Sequence, residues 1–81
     1  MEKDQVRTIT QEIWAKVLEV NIDGATDFFE VGGHSFMAMR IIALMDEALP
    51  KRTPVTLLFD HPRFDQFVLT VAAHMDASAS G

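Results

Sequence analysis

The sequence predicts an all-helical fold: a four-helix bundle of three main helices plus one short one, with a long first loop. Three observations predict it. Apolar residues recur at helical spacing in three separate stretches, no stretch alternates apolar and polar residues as a half-buried strand would, and Pro50, Pro54 and Pro62 divide the second half of the chain into short segments. With 81 residues the chain holds one compact domain, expected over residues 1–76, followed by a flexible tail at 77–81.

The first helix begins near Val6, where Val6, Ile9, Ile13, Val17 and Leu18 form an apolar stripe. Trp14 falls beside that stripe, and Gln11, Glu12, Lys16 and Glu19 occupy the other face. Two caps fit its start: Asp4, or Thr8 with Gln11 three residues later. The turn formers of "NIDGATD" then open a loop that runs to about Gly33. That exceeds an ordinary connection, and long loops in small domains are often functional. Phe28, Phe29 and Val31 should pin it to the core, with Phe29 expected as the buried anchor.

Gly32 and Gly33 open backbone angles closed to other residues, and serine is a favoured N-cap, so the second helix should start at or next to Ser35 and end near Leu49, before Pro50. On a wheel of this helix Met37, Ala38, Ile41, Ile42, Leu44, Met45, Ala48 and Leu49 share a core arc. Phe36, Met39 and Ala43 lie opposite, among Arg40, Asp46 and Glu47. Apolar side chains on an otherwise polar arc beside Ser35 suggest a contact patch for partner proteins. The third helix is a turn or two capped by Thr56, with Leu57, Leu58 and Phe59 as core contacts. Leu57, Leu58, Lys51 and Arg52 could extend the same patch from the third helix, although at least one of the leucines must be core. In the last helix Phe64, Phe67, Val68, Val71, Ala72 and Met75 keep a strict stripe.

Composition excludes several functions. Seven basic residues scattered among twelve acidic ones give a net charge of -5 and no basic stripe, which argues against nucleic acid as a partner. The absence of cysteine removes disulfides and thiolate metal sites. The N-terminus carries no signal or transit pattern, and no run nears the roughly 18 apolar residues that span a bilayer, so the chain reads as cytoplasmic, monomeric and without a membrane contact. It suits a complete small protein or one domain of a multidomain enzyme equally.

What remains is the chemistry of "DFFEVGGHSFMAMRI". Ser35 could be a helix cap alone, or a nucleophile, because "GHSFM" shows half of the G-x-S-x-G elbow. Met37 stands where the second glycine belongs and no strand precedes the serine, so no catalytic residue is assigned. His34, His61 and His74 lack metal-ligand spacing, and "DGATD" lacks the alternating acids and closing glutamate of a calcium loop, so no metal site is assigned either.

The stretch "TDFFEVGGHSFMAMRII" resembles the attachment-site signature of carrier proteins, and specifically of the peptidyl carrier (thiolation) domains of nonribosomal peptide synthesis. Phe28, Phe29, Val31, Gly32, Gly33, His34 and Ser35 stand in the family's order and spacing. "TPVTLLFDHPRFDQF" resembles the family's third helix and the His-Pro that opens its fourth, so the likeness covers about Val6 to Met75. The family often has leucine at the positions of Val31, Phe36 and Met37, and Ser or Thr where Arg63 stands. Fatty-acid acyl carriers usually show "DSL" around the serine and a more acidic second helix, which favours aminoacyl over fatty acyl cargo here.

The resemblance implies an acyl-carrier-like fold and a noncatalytic role. Ser35 would accept 4′-phosphopantetheine from coenzyme A through a phosphopantetheinyl transferase, flanked by Gly32, Gly33 and His34. The arm's thiol would carry aminoacyl or peptidyl thioesters, loaded by an adenylation enzyme or domain and passed to condensation or tailoring enzymes. Phe36, Met39, Arg40, Ala43 and Leu58 are the partner-contact candidates. Two alternatives stand beside this reading: a polyketide-type acyl carrier, and an unmodified helical interaction domain.

Overall fold

The computed structural model describes residues 2–77, Ala77 by its backbone. Four helices follow one another: α1 (Lys3–Leu18), α2 (Ser35–Ala48), the short α3 (Thr56–Asp60) and α4 (Phe64–Ala77). Among the described residues there is no strand, only an isolated antiparallel bridge between Asp27 and Arg63. The expected bundle is therefore the observed one. Ala77 ends α4, and the rest of the tail expected at 77–81 lies outside the described residues.

Neither expected cap starts α1. The helix begins earlier, at Lys3, with Glu2 as its N-cap and the Glu2 N–H donating to Gln5 Oε1 at 3.1 Å. Thr8 lies inside the helix, its hydroxyl donating back to the Asp4 carbonyl at 3.0 Å. At the other end Glu19 takes a left-handed conformation (φ 57°) and its N–H closes the last turn on the Ala15 carbonyl.

The buried face of α1 is also rotated from expectation. Val6, Thr10, Trp14, Val17 and Leu18 are buried, while Ile9 and Ile13 are only partly covered. Trp14 takes the centre because its large ring can meet three aromatic neighbours: Phe28 at 5.9 Å, Phe64 at 5.2 Å and Phe67 at 5.6 Å between ring centroids. α1 packs on both α2 and α4, and α3 packs on α4. In α4 all six stripe residues from Phe64 to Met75 are buried, as their spacing predicts.

Three corrections fall on α3. Leu58 is fully buried and Leu57 half-buried, so Leu58 belongs to the core and not to a contact patch. Phe59, expected in the core, is exposed. α3 has only five residues, too few for a wheel to fix its inward face, and which leucine turns in is decided by how it docks on α4. Nor does Thr56 cap it; Val55 stands at the N-cap position without a side-chain bond.

Candidate functional site

The loop between α1 and α2 is built as a rigid entry to Ser35. Its first half is an Asp turn: the Ala25 N–H donates to Asp23 Oδ1 at 2.9 Å and the Thr26 N–H to the Asp23 carbonyl at 3.1 Å. Gln11 reaches from α1 to donate to the Ile22 carbonyl at 2.8 Å. The start of α4 then staples the loop from the other side, with Phe64 N–H donating to Thr26 O at 2.8 Å, Asp65 N–H to Gly24 O at 3.0 Å, and Phe28 N–H to Pro62 O at 2.8 Å. These bonds satisfy backbone groups that a loop buried on a core would otherwise leave unpaired.

The second half turns around Asp27, whose Oδ1 accepts from the N–H groups of Phe29 and Glu30 at 2.9 and 3.2 Å. Here the anchor differs from expectation. Phe28 is fully buried, whereas Phe29 is 47% exposed and stacks on the equally unexpected Phe59 of α3, ring centroids 6.3 Å apart and planes at 12°. Val31 packs partly against the core. Two adjacent phenylalanines in an aperiodic loop carry no spacing signal to say which points inward, so the sequence could not separate them.

The two glycines behave differently. Gly32 adopts φ 94°, a conformation that L side chains rarely take, in open space. At Gly33 the contact is close: its N–H donates to the Phe28 carbonyl at 2.9 Å, and the Phe28 ring lies against its Cα.

α2 then begins with Ser35 as its first helical residue and His34 as the N-cap. The His34 backbone is extended (φ -147°, ψ -179°), and its exposed side chain makes no capping bond. Ser35 is exposed, and its hydroxyl joins none of the hydrogen bonds among the described residues. The reading of Ser35 as a helix cap thus fails, because the cap position lies one residue earlier. The first N–H groups of α2 have no intrahelical partner and no side chain covers them, which leaves the positive end of the helix dipole beside a free hydroxyl. Such an end favours an anion.

On α2 the wheel mostly holds. Ala38, Ile41, Ile42, Met45 and Leu49 are buried, Met37 and Leu44 are partly covered, and Ala48, placed in the core arc, is exposed at the last turn. Phe36 is 68% exposed and Met39 58% exposed, and Arg40 and Ala43 are exposed as well. Positions 36, 39, 40 and 43 lie on one face of the helix, starting next to Ser35. No group of His, Asp or Glu among the described residues is arranged to hold a metal ion. No helix there is long and apolar enough to cross a membrane.

Comparison with known proteins agrees with this geometry. Residues 9–71 match the family described as "Phosphopantetheine attachment site". The chain is 38% identical over 61 residues, 74% of its length, to tyrocidine synthase 3 of Brevibacillus parabrevis. It is 41% identical over 68 residues, 83% of its length, to surfactin synthase subunit 2 of Bacillus subtilis. The matched segments are 1% and 2% of those two proteins, so the chain corresponds to one small part of each. Among solved structures, the complex of the phosphopantetheine transferase Sfp with coenzyme A and a peptidyl carrier protein contains a chain that superposes with a TM-score of 0.76 at 32% identity, covering 84% of this chain and 90% of that one.

The chain belongs to the phosphopantetheine attachment site family. It is a carrier that tethers intermediates on a phosphopantetheine arm.

Proposed function

We propose that this chain is a peptidyl carrier in which Ser35 bears the 4′-phosphopantetheine arm and the arm's thiol holds aminoacyl or peptidyl thioesters during nonribosomal peptide synthesis. The observation that carries the proposal is the exposed, unbonded hydroxyl of Ser35 at the uncapped N-terminus of α2. In the transfer step the hydroxyl oxygen attacks the pantetheine-bearing phosphorus of coenzyme A. The bond between the two phosphates breaks, the adenosine bisphosphate half leaves, and the hydroxyl proton passes to the transferase. The new phosphodiester carries a negative charge, which the free N–H groups of α2 are placed to receive.

In this reading the chain contributes no catalytic residue of its own. A phosphopantetheinyl transferase installs the arm, an adenylation enzyme or domain loads it, and condensation or tailoring enzymes take the cargo, all in the cytoplasm. The exposed face of Phe36, Met39, Arg40 and Ala43 is where these enzymes would dock, since apolar anchors ringed by polar groups carry most interface energy. Similarity to tyrocidine and surfactin synthases favours aminoacyl over polyketide cargo.

The test is intact mass after incubation with coenzyme A and a broad-tolerance transferase, with fragmentation to locate the added group. Addition of one phosphopantetheine mass at Ser35, followed by loading with an amino acid in preference to a malonyl group, supports the proposal. No added mass contradicts it, and malonyl loading alone assigns the arm to polyketide cargo.

A further inference from the structure

The glycine that precedes His34 does something other than supply a torsion. Gly33 has no left-handed φ, unlike Gly32; what marks it is crowding. A Cβ added there would stand 2.5 Å from the Phe28 carbonyl oxygen and 2.6 Å from both Cε1 and Cζ of the Phe28 ring. Real Cβ atoms do not approach other heavy atoms so closely, and the obstacles are backbone on one side and a ring that cannot retreat on the other. Phe28 is fully buried, its ring meets the Trp14 indole at 5.9 Å and 63°, and its N–H is fixed to the Pro62 carbonyl at 2.8 Å. Close-packed interiors transmit such a displacement instead of absorbing it.

We infer that Gly33 is a positioning residue for the attachment site: by letting the chain pass flush against the Phe28 ring, it sets where His34 caps α2 and so where the Ser35 hydroxyl stands. The chain of contacts is short. Trp14 of α1 backs Phe28, Phe28 backs Gly33, and Ser35 begins α2 two residues later. Any side chain at position 33 must push α2's first turn outward or lever Phe28 off the indole. Gly32 acts by a different route, since a side chain there meets open space and only the backbone angle objects. The two glycines of "GGHS" therefore have separable roles, one torsional and one steric. This inference rests on the carrier assignment and on Ser35 as the acceptor.

The experiment measures modification of Gly33→Ala by a transferase and coenzyme A, as kcat/KM per folded molecule, together with the emission of Trp14, the only tryptophan in the chain. The expected result is at least a tenfold lower kcat/KM with a changed Trp14 emission. Val71→Ala, which truncates a fully buried residue about two turns into α4, serves as the control for mere instability, and its kcat/KM per folded molecule should match the parent. The ring contact itself is tested in the Phe28→Leu background, where two of the obstructing atoms are gone. There Gly33→Ala should lower kcat/KM and melting temperature by less than it does in the parent, and this comparison stands even where Gly33→Ala alone folds poorly. Parent-like modification of Gly33→Ala, or an equal effect of Gly33→Ala in both backgrounds, overturns the inference while leaving the carrier assignment intact. A parent chain that gains no mass overturns the carrier assignment itself.

Discussion

The Phe28 ring stands edge-on to the Trp14 indole, centroids 5.9 Å apart and planes at 63°, and this pair joins the long loop to the first helix. Phe64 meets the same indole at 5.2 Å and 76° from the start of α4. The loop that leads to Ser35 is thus anchored in the aromatic centre of the core as well as by its backbone bonds to α4.

Phe28→Ala should therefore cost about 3–5 kcal/mol, the range for a buried phenylalanine truncated in a core. Phe29→Ala removes an exposed ring stacked on Phe59 and should cost no more than about 1 kcal/mol. Urea unfolding of both variants checks the difference, and equal midpoints would refute the assignment of Phe28 as the anchor.

How much of this was legible beforehand varied with periodicity. The α4 stripe and most of the α2 arc could be read because each is long enough for a 3.6-residue repeat to fix a face. In α1 the apolar residues themselves misled, since Ile9 and Ile13 line an open groove with Leu44 and Ala48 while Thr10 turns inward. Only the demand of Trp14 for aromatic neighbours, a tertiary fact, sets that rotation. Phe28 against Phe29, and Leu57 against Leu58, are adjacent pairs in an aperiodic loop and a five-residue helix, where no repeat exists to choose. The start of α2 at Ser35 was legible from the glycines and serine of the motif; that His34, not Ser35, takes the cap position was not.

Thr10 offers a test of the rotated α1 face. Its hydroxyl is fully buried and finds no hydrogen-bond partner among the described residues. Thr10→Val removes the unsatisfied group at nearly constant volume and should stabilise the fold by up to about 1 kcal/mol, read as a raised melting temperature. A loss of more than that amount would mean the hydroxyl is bonded and the face is placed wrongly.

The turn after α2 depends on one carboxylate. Asp46 Oδ1 accepts from the N–H of buried Thr53 at 2.8 Å, while its other oxygen lies 3.8 Å from Arg52 Nε, whose side chain is 94% exposed. Asp46→Ala should cost roughly 1–3 kcal/mol, because it leaves the part-buried Thr53 N–H unpaired. Arg52→Ala should fall within about 0.5 kcal/mol of the parent, since an exposed ion pair contributes little. Denaturant midpoints in low and moderate salt distinguish the two, and a larger effect of the arginine would invert the account.

Phe36 and Met39 test the proposed docking face. Both side chains are mostly exposed, so their alanine variants should stay within about 1 kcal/mol of the parent in stability. Their modification by a transferase, or loading by an adenylation partner, should slow severalfold per folded molecule. Arg40→Ala should act more weakly and chiefly at low salt. Normal loading in both apolar variants would place the docking surface elsewhere.

The central claim, that Ser35 is the acceptor and has no structural duty of its own, is tested most directly by Ser35→Ala. Among the described residues the hydroxyl makes no hydrogen bond, and Ser35 does not occupy the cap position, so the variant should unfold within about 0.5 kcal/mol of the parent. Intact mass of parent and variant, treated side by side with coenzyme A and a transferase, then decides the matter. The account predicts one phosphopantetheine on the parent and none on a fully folded Ser35→Ala; the same added mass on both would contradict it.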